Sequence, residues 1–287
     1  MLTLGPVTGT AVGGTIGTDT TWTLAGSPYT VTSSIEIHGI DGPDGITTLT
    51  IEPGVTVQFT SGTYLRLGGW SEPGKLVADG DPGNPIVFTS DQASPTKGDW
   101  YGIRFESLNG FGPGNQSLID NAIIEYGGYS WASDIYLNNA SPTITNCLIR
   151  NSSGYGINMQ NDSAPAISNN IIADNNSYPV HVRADHVQLL GTTNSYSGNN
   201  PNKIEVESYT LRDREFIWQN TGLPLYLTDS IYVHGNSSTQ LTIQPGVRVE
   251  FPQHSLLQFG GWSEYGKLVA DGDPGNPIVF TSDQASP

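Results

Sequence analysis

The sequence has a single cysteine, Cys147, so no disulfide framework within the chain holds it together. That scarcity does not assign a compartment, because a chain of 287 residues can bury a long core without staples. Basic residues are few: 11 Lys and Arg face 27 Asp and Glu, a formal charge of −16. A phosphate backbone or an anionic membrane surface would be repelled, so no nucleic-acid partner is expected. Long apolar runs are also missing. Nothing approaches the roughly 20 residues needed to span a bilayer, so no transmembrane segment is expected. The opening MLTLG lacks the basic start and apolar centre of a signal peptide. No stretch sustains a helical period.

Punctuation is what the chain has in plenty. Its 35 Gly and 19 Pro separate short runs of Val, Ile, Thr, Tyr and Phe, the composition of many brief strands joined by turns. A long internal repeat organises them. Residues 68–95 read GGWSEPGKLVADGDPGNPIVFTSDQASP, and residues 260–287 repeat them with the single change of Pro73 to Tyr265, at a constant offset of 192. Upstream, LTIEPGVTVQF from Leu49 matches LTIQPGVRVEF from Leu241 at the same offset. Trp22, Gly26, Pro28, Ile35, His38 and Gly39 match Trp218, Gly222, Pro224, Ile231, His234 and Gly235 at an offset of 196. The sequence therefore divides into an N-terminal arm (1–21), one repeat unit (22–217) and a partial second unit (218–287) expected to be continuous with the first.

A shorter period lies between the copies. ITNCLIRN from Ile144 realigns with ISNNIIAD from Ile167 at an offset of 23, carrying Pro142 onto Pro165, Tyr155 onto Tyr178 and Ile157 onto Val180. IDNAIIEY from Ile119 joins the series at an offset of 25. With three strand-like runs per period and no helix, each period reads as one coil of a solenoid stacked in register on the coil below. Asn121, Asn146 and Asn169 then fall above one another at a bend, an expected asparagine ladder, since such a bend selects residues that tolerate left-handed backbone.

This coil pattern, with Asn at the bend and Gly156 ahead of the next strand in SGYGI, resembles the parallel β-helix repeat of the pectate-lyase-like superfamily. The stretch from Trp22 through LTIEPGVTVQF, GKLVADGDPGNPIVFTS and DWYGIRF is similar to modules that recur in large secreted and surface-anchored bacterial and archaeal proteins. The resemblance implies an all-β fold, a right-handed single-stranded parallel β-helix. It leaves activity open, because the superfamily holds lyases, hydrolases, adhesins and passive stalks.

An enzyme of this superfamily would show a calcium-binding carboxylate cluster with a basic residue, or paired Asp with His. Neither constellation is legible, so no catalytic residue, metal site or cofactor is assigned. On the coil alignment Glu125 lies over Arg150, with Ala173 beyond, and Tyr126, Asn151 and Asp174 form the next column. Opposite charges on neighbouring strands read first as a stabilising ladder. DGDPGN from Asp79, with Asp81, and its copy from Asp271, with Asp273, resembles the start of a calcium loop but lacks the closing Glu, so a tight turn is the plainer reading and calcium at most a stabiliser. The GGWSE loops place Trp70 and Glu72, and Trp262 and Glu264, where carbohydrate or protein contacts are often made, or where an indole covers apolar surface. The five histidines give no metal signature. Asn-x-Ser/Thr triplets at Asn115, Asn139, Asn151, Asn161, Asn175 and Asn236 suit a glycosylated surface protein.

The second unit halts within its repeat, and the strand Ile278, Val279, Phe280, Thr281 is a candidate for self-association end to end, with the N-terminal arm as a pairing segment. The functional expectation is an extracellular structural protein, a β-helical rod or head-to-tail filament subunit on the cell surface with surface carbohydrate as a further partner. A polysaccharide-binding or polysaccharide-degrading protein is the alternative.

Overall fold

The computed structural model describes residues 9–69, 72–106, 117–130, 133–261 and 263–284. Its strands are short because the apolar residues alternate only briefly before Gly, Pro or Asn breaks the run. In Thr47–Ile51 every second side chain is buried, and Thr56–Phe59 buries Val57 and Phe59 while Thr56 and Gln58 look outward. Every such strand pairs in parallel with its counterpart one coil away, forming three faces around one apolar interior.

The first face stacks Thr20–Trp22, Thr47–Ile51, Gly74–Asp79, Leu118–Asp120, Thr143–Thr145 and Ala166–Ser168. The second stacks Thr56–Phe59, Ile86–Ser90, Ala122–Glu125, Leu148–Arg150, Ile171–Ala173 and Ser195–Ser197. Tyr29–Ile37 turns the corner, its first half lying on the second face and its last three residues on the third, which joins both faces in a 17-stranded sheet. Among the described residues, only the third face continues from the first unit into the second. Its inward column is Ile35, Leu65, Ile103, Ile135 and Ile157, then Val180, Ile204, Leu225, Val249 and Phe280, each registered on the next. At about 4.8 Å per step this face is on the order of 50 Å long.

The coil alignment read from the sequence is the register observed: Ile119 pairs with Ile144, Ile144 with Ile167, and Glu125 with Arg150. Asn121, Asn146 and Asn169 each adopt left-handed backbone, with φ of 47°, 54° and 59°. Their side chains do not form the ladder, however. The Asn121 and Asn146 amides both turn to the Asp120 carboxylate, at 3.0 and 2.6 Å. Amide-to-amide bonds form instead at the neighbouring inward positions, Asn170 to Asn194 at 3.1 Å and Asn175 to Asn199 at 2.8 Å. Only a side chain aimed inside the bend can reach the backbone groups left unpaired there.

Two differences from the expected architecture meet at the junction of the units. A 3-10 helix, Ala184–Leu190, follows the third-face strand Val180–Arg183 where a first-face strand would come next. Trp218 packs over it, donating its indole N–H to the Ala184 carbonyl at 2.9 Å. Beyond this interruption the strands of the second unit occupy a different face. Leu225–Leu227, Arg248–Phe251 and Val279–Ser282 are the repeat counterparts of the second-face strands, yet they stack on Ile204–Glu207 and continue the third face. New sheets begin on the other sides, Thr210–Leu211 with Ile231–Val233 and Leu257–Phe259, and Glu215–Trp218 with Gln240–Ile243 and Lys267–Ala270. One face is therefore continuous between the units and the other two are rebuilt. Among the described residues no helix is long and apolar enough to cross a membrane.

Candidate functional site

Alternation along each third-face strand sends the residue between two buried ones outward, so the coils place a column of polar side chains along the outside of this face. In the first unit it reads Glu36, Arg66, Arg104 and Tyr136. Arg66 pairs with Glu36 at 3.0 Å, and Tyr64 donates its hydroxyl to the same carboxylate at 2.7 Å. Arg104 pairs closely with Glu106 and lays its guanidinium 4.5 Å from the centre of the Tyr136 ring. Charges of opposite sign, within a strand and between neighbouring strands, thus pair with one another.

The same column continues through Asn158, His181, Glu205, Tyr226 and Glu250, and around it the junction assembles its densest polar cluster. Tyr155, Tyr178 and Tyr226 stack in series with ring centres 6.3 and 5.7 Å apart. Glu205 accepts the Tyr155 hydroxyl at 2.8 Å and contacts His181 Nδ1 at 2.7 Å. Burial and this carboxylate both push the Tyr155 phenol above its usual range. This contact fixes the ring through Nδ1 and leaves Nε2 as its other polar atom. That Nε2 is sealed from solvent and has no hydrogen-bond partner, its nearest carboxylate being Glu207 at 3.7 Å. Lys203 meets Glu250 at 2.5 Å and Arg248 donates to it at 2.7 Å. Burial alone would raise the Glu250 carboxyl, but these two cations outweigh it and hold it low.

The repeat makes this cluster informative. LTIEPGVTVQF and LTIQPGVRVEF differ at three positions, and two of the changes, Thr56 to Arg248 and Gln58 to Glu250, are outward residues of the strand that the slip carries onto the third face. Thr30, the counterpart of Tyr226, likewise lacks the aromatic ring. Side chains that would be isolated on the second face complete an ion-pair network on the third.

Other residues singled out in the sequence fall as follows. Arg150 pairs with Glu125 at 2.8 Å. Tyr126, Asn151 and Asp174 occupy left-handed corners, with φ of 65°, 60° and 54°, so their column is set by backbone geometry. Asp81 and Asn84 close a turn on themselves through backbone bonds, and in the second copy the Asp273 carboxylate caps the same turn by accepting from the Asn276 N–H at 3.0 Å. Asp79 registers on Asp120, and its copy Asp271 is exposed beside the turn. Among the described residues no three His, Cys, Asp or Glu converge on one point. Glu72 pairs with His38 at 2.9 Å, and Glu264 pairs with His234 and with Arg212, whose hydrogen bond lowers the Glu264 carboxyl. Trp70, Trp262 and Asn115 lie outside the described residues.

Of the remaining sequons, Asn161 and Asn236 are exposed, and Asn139 and Asn151 half-buried. Asn175 is the exception that overturns its expected role: it is 1 % exposed and its amide is consumed by the ladder, so a glycan has no room there. Val279–Ser282 pairs on one side with Arg248–Phe251, leaving Phe280 45 % exposed where its counterpart Phe88, covered by Ala122–Glu125, is fully buried. Cys147 is buried and its thiol is pushed up to about 12, which makes it inert.

Sequence reasoning missed the His181 to Glu205 contact. Its signal was available, because the two residues are 24 apart, one coil. It also missed Asp134, fully buried, with one carboxyl oxygen accepting the Gly127 N–H at 2.9 Å and the other unpartnered. Burial, and to a lesser degree Glu125, raise this carboxyl well above its usual range.

Comparison with known families agrees with the fold. Residues 14–135 match the pectate-lyase like beta helix domain, and residues 109–250 match the right handed beta helix region. No curated protein and no solved structure matches the chain.

Proposed function

We propose that this chain, a right-handed parallel β-helix carrying the pectate-lyase-like β-helix domain, is an extracellular structural protein, a rod segment on the cell surface with an adhesive side. The observation that carries the reading is the third face: a strand stack unbroken through both units, whose outward charges are spent on one another. Such a ladder stiffens a solenoid and leaves little for chemistry. The charge of −16 keeps a rod of this kind soluble and away from nucleic acid, and exposed sequons suit a surface location.

A second reading, polysaccharide degradation, is favoured by one observation, the carboxylate-oriented imidazole of His181 beside the Tyr155 hydroxyl. The sealed Nε2 weighs against it, since a base must reach the proton it takes. Antibody labelling of intact cells, together with a panel of acidic and neutral polysaccharides incubated with the protein with and without calcium, tests both. The scaffold reading expects surface labelling and no new reducing ends or unsaturated products. Turnover lost in His181→Ala, or in Arg150→Ala or Asp174→Asn, would overturn it.

A further inference from the structure

Where the ion-pair ladder closes the third face, the neighbouring face at the junction of the two units stays open. The strands Thr210–Leu211 and Ile231–Val233 and the loops leading into them surround a recess of about 490 Å³, lined by Ser208, Tyr209, Arg212, Asp229, Ser230 and Tyr232. That volume lies in the range of small-ligand sites. Tyr209 and Tyr232 are 41 % and 38 % exposed.

Both rings are held in place from behind. The Arg183 guanidinium lies 4.0 Å from the centre of the Tyr209 ring, and Arg183 is itself fixed by Asp185 at 2.6 Å and Asp162 at 2.8 Å. Tyr232 meets His234 edge-on with centres 6.3 Å apart, and His234 is anchored to Glu264, which Arg212 grips at 2.8 Å. Rings fixed before a ligand arrives lose little freedom on binding.

The charge of the recess defines what fits. Arg212 is neutralised by Glu264. Asp229 bonds only the N–H of the adjacent Ser230, at 2.6 Å, and among the described residues no cation lies within ion-pair distance of it. A free carboxylate beside hydroxyls accepts O–H groups strongly and repels anions. Flat apolar rings flanking such a group suit a sugar ring, with its C–H face on the aromatic and its hydroxyls on the acid.

The duplication shows that the recess is not an automatic product of the fold. Thr210 registers on Tyr232 as Thr15, in the strand Thr10–Ile16 of the N-terminal segment, registers on Glu36. By that register Tyr209 stands where Gly14 stands and Arg212 where Gly17 stands, while Asp229 replaces Ser33. The earlier pair of strands, Thr10–Ile16 and Tyr29–Ile37, carries neither ring at these places.

We propose that this recess binds a neutral glycan residue, with Tyr209 and Tyr232 as the stacking platform and Asp229 as the hydroxyl acceptor. The inference rests on the adhesive part of the proposed function and supplies its ligand class. A protein that forms rods but binds no sugar would sink the recess and leave the scaffold standing.

The test is calorimetric titration of the full chain with neutral hexaoses (cello-, malto-, manno- and xylo-series) and with oligogalacturonate. At least one neutral series is expected to bind, oligogalacturonate about tenfold more weakly or not at all, and the double variant Tyr209→Ala/Tyr232→Ala about tenfold more weakly than wild type at unchanged Tm. Asp229→Asn should weaken binding severalfold, and Tyr232→Phe should retain most of it. If the double variant proves unstable, Tyr232→Glu serves instead, because the first unit carries Glu36 at the equivalent place. No binding of any neutral series, full binding by the ring-less variants, or tighter binding of oligogalacturonate would each overturn the assignment.

Discussion

Removing one amide from the interior ladder isolates what the inward asparagines contribute. Asn175 accepts the Ser152 N–H at 2.9 Å and donates to Asn199 Oδ1 at 2.8 Å, and Ser152 and Asn175 are 0 % and 1 % exposed. In Asn175→Ala the Ser152 N–H is left buried without an acceptor, which costs about 1–3 kcal/mol, and the lost amide bond adds about 1 kcal/mol. Asn199 Oδ1 keeps its bond from the residue 175 backbone N–H, so its share stays small. The sum is about 2–4 kcal/mol, or about 4–8 °C in Tm at this chain length. Thermal melts should show that drop, and hydrogen exchange should show faster exchange at Ser152 and in its coil. Asn236→Ala, on an exposed loop, should stay within about 0.5 kcal/mol of wild type. If Asn175→Ala melts with wild type and the Ser152 amide stays protected, the ladder carries no load and the reasoning fails.

Two more outcomes follow from buried groups. The Asp134 carboxyl has its folded pKa raised above the ordinary 3.8, chiefly by burial, so the stability it lends is fully present below about pH 3.8 and is lost as pH rises through the folded value. Asp134→Asn keeps the Gly127 bond and cannot ionise; melts across pH should show the variant gaining on wild type toward pH 8, and parallel curves would refute the assignment. At Gly156 a Cβ would lie 2.5 Å from Ile172 Cγ2 and 2.8 Å from the Pro179 carbonyl oxygen, so Gly156→Ala should destabilise by about 1–3 kcal/mol through overpacking, and denaturant titration reads it directly.

The coils were legible because their period is carried by residues that cannot be exchanged freely: inward Ile at each strand and a left-handed residue at each corner. Ile144 over Ile167 and Glu125 over Arg150 needed no structure. The ladder was misplaced by one residue in the third coil, since Asn169 and Asn170 are adjacent and only the turn decides which of the two points inside. The junction was not legible. Identical sequence in two units implies identical strands but not the same face, and the slip depends on Ala184–Leu190 coiling as a 3-10 helix where a strand was due. The polar cluster at His181 and the recess at Tyr232 both sit at this junction, which is why residue patterns within one unit did not reveal them.

The claim on which the rest depends is that the second unit continues the third face. Glu205 and Tyr226 are outward partners on adjacent parallel strands, about 4.8 Å apart, within the span a disulfide bridges. Without the slip, Leu225–Leu227 would follow Ser195–Ser197, as its counterpart in Tyr29–Ile37 lies on the second face, and Tyr226 would stand beside Ser197. Under mild oxidation, with buried Cys147 left in place, Glu205→Cys/Tyr226→Cys is expected to close a disulfide in the folded protein and Ser197→Cys/Tyr226→Cys to remain reduced. Bridging of the second pair and not the first would contradict the account.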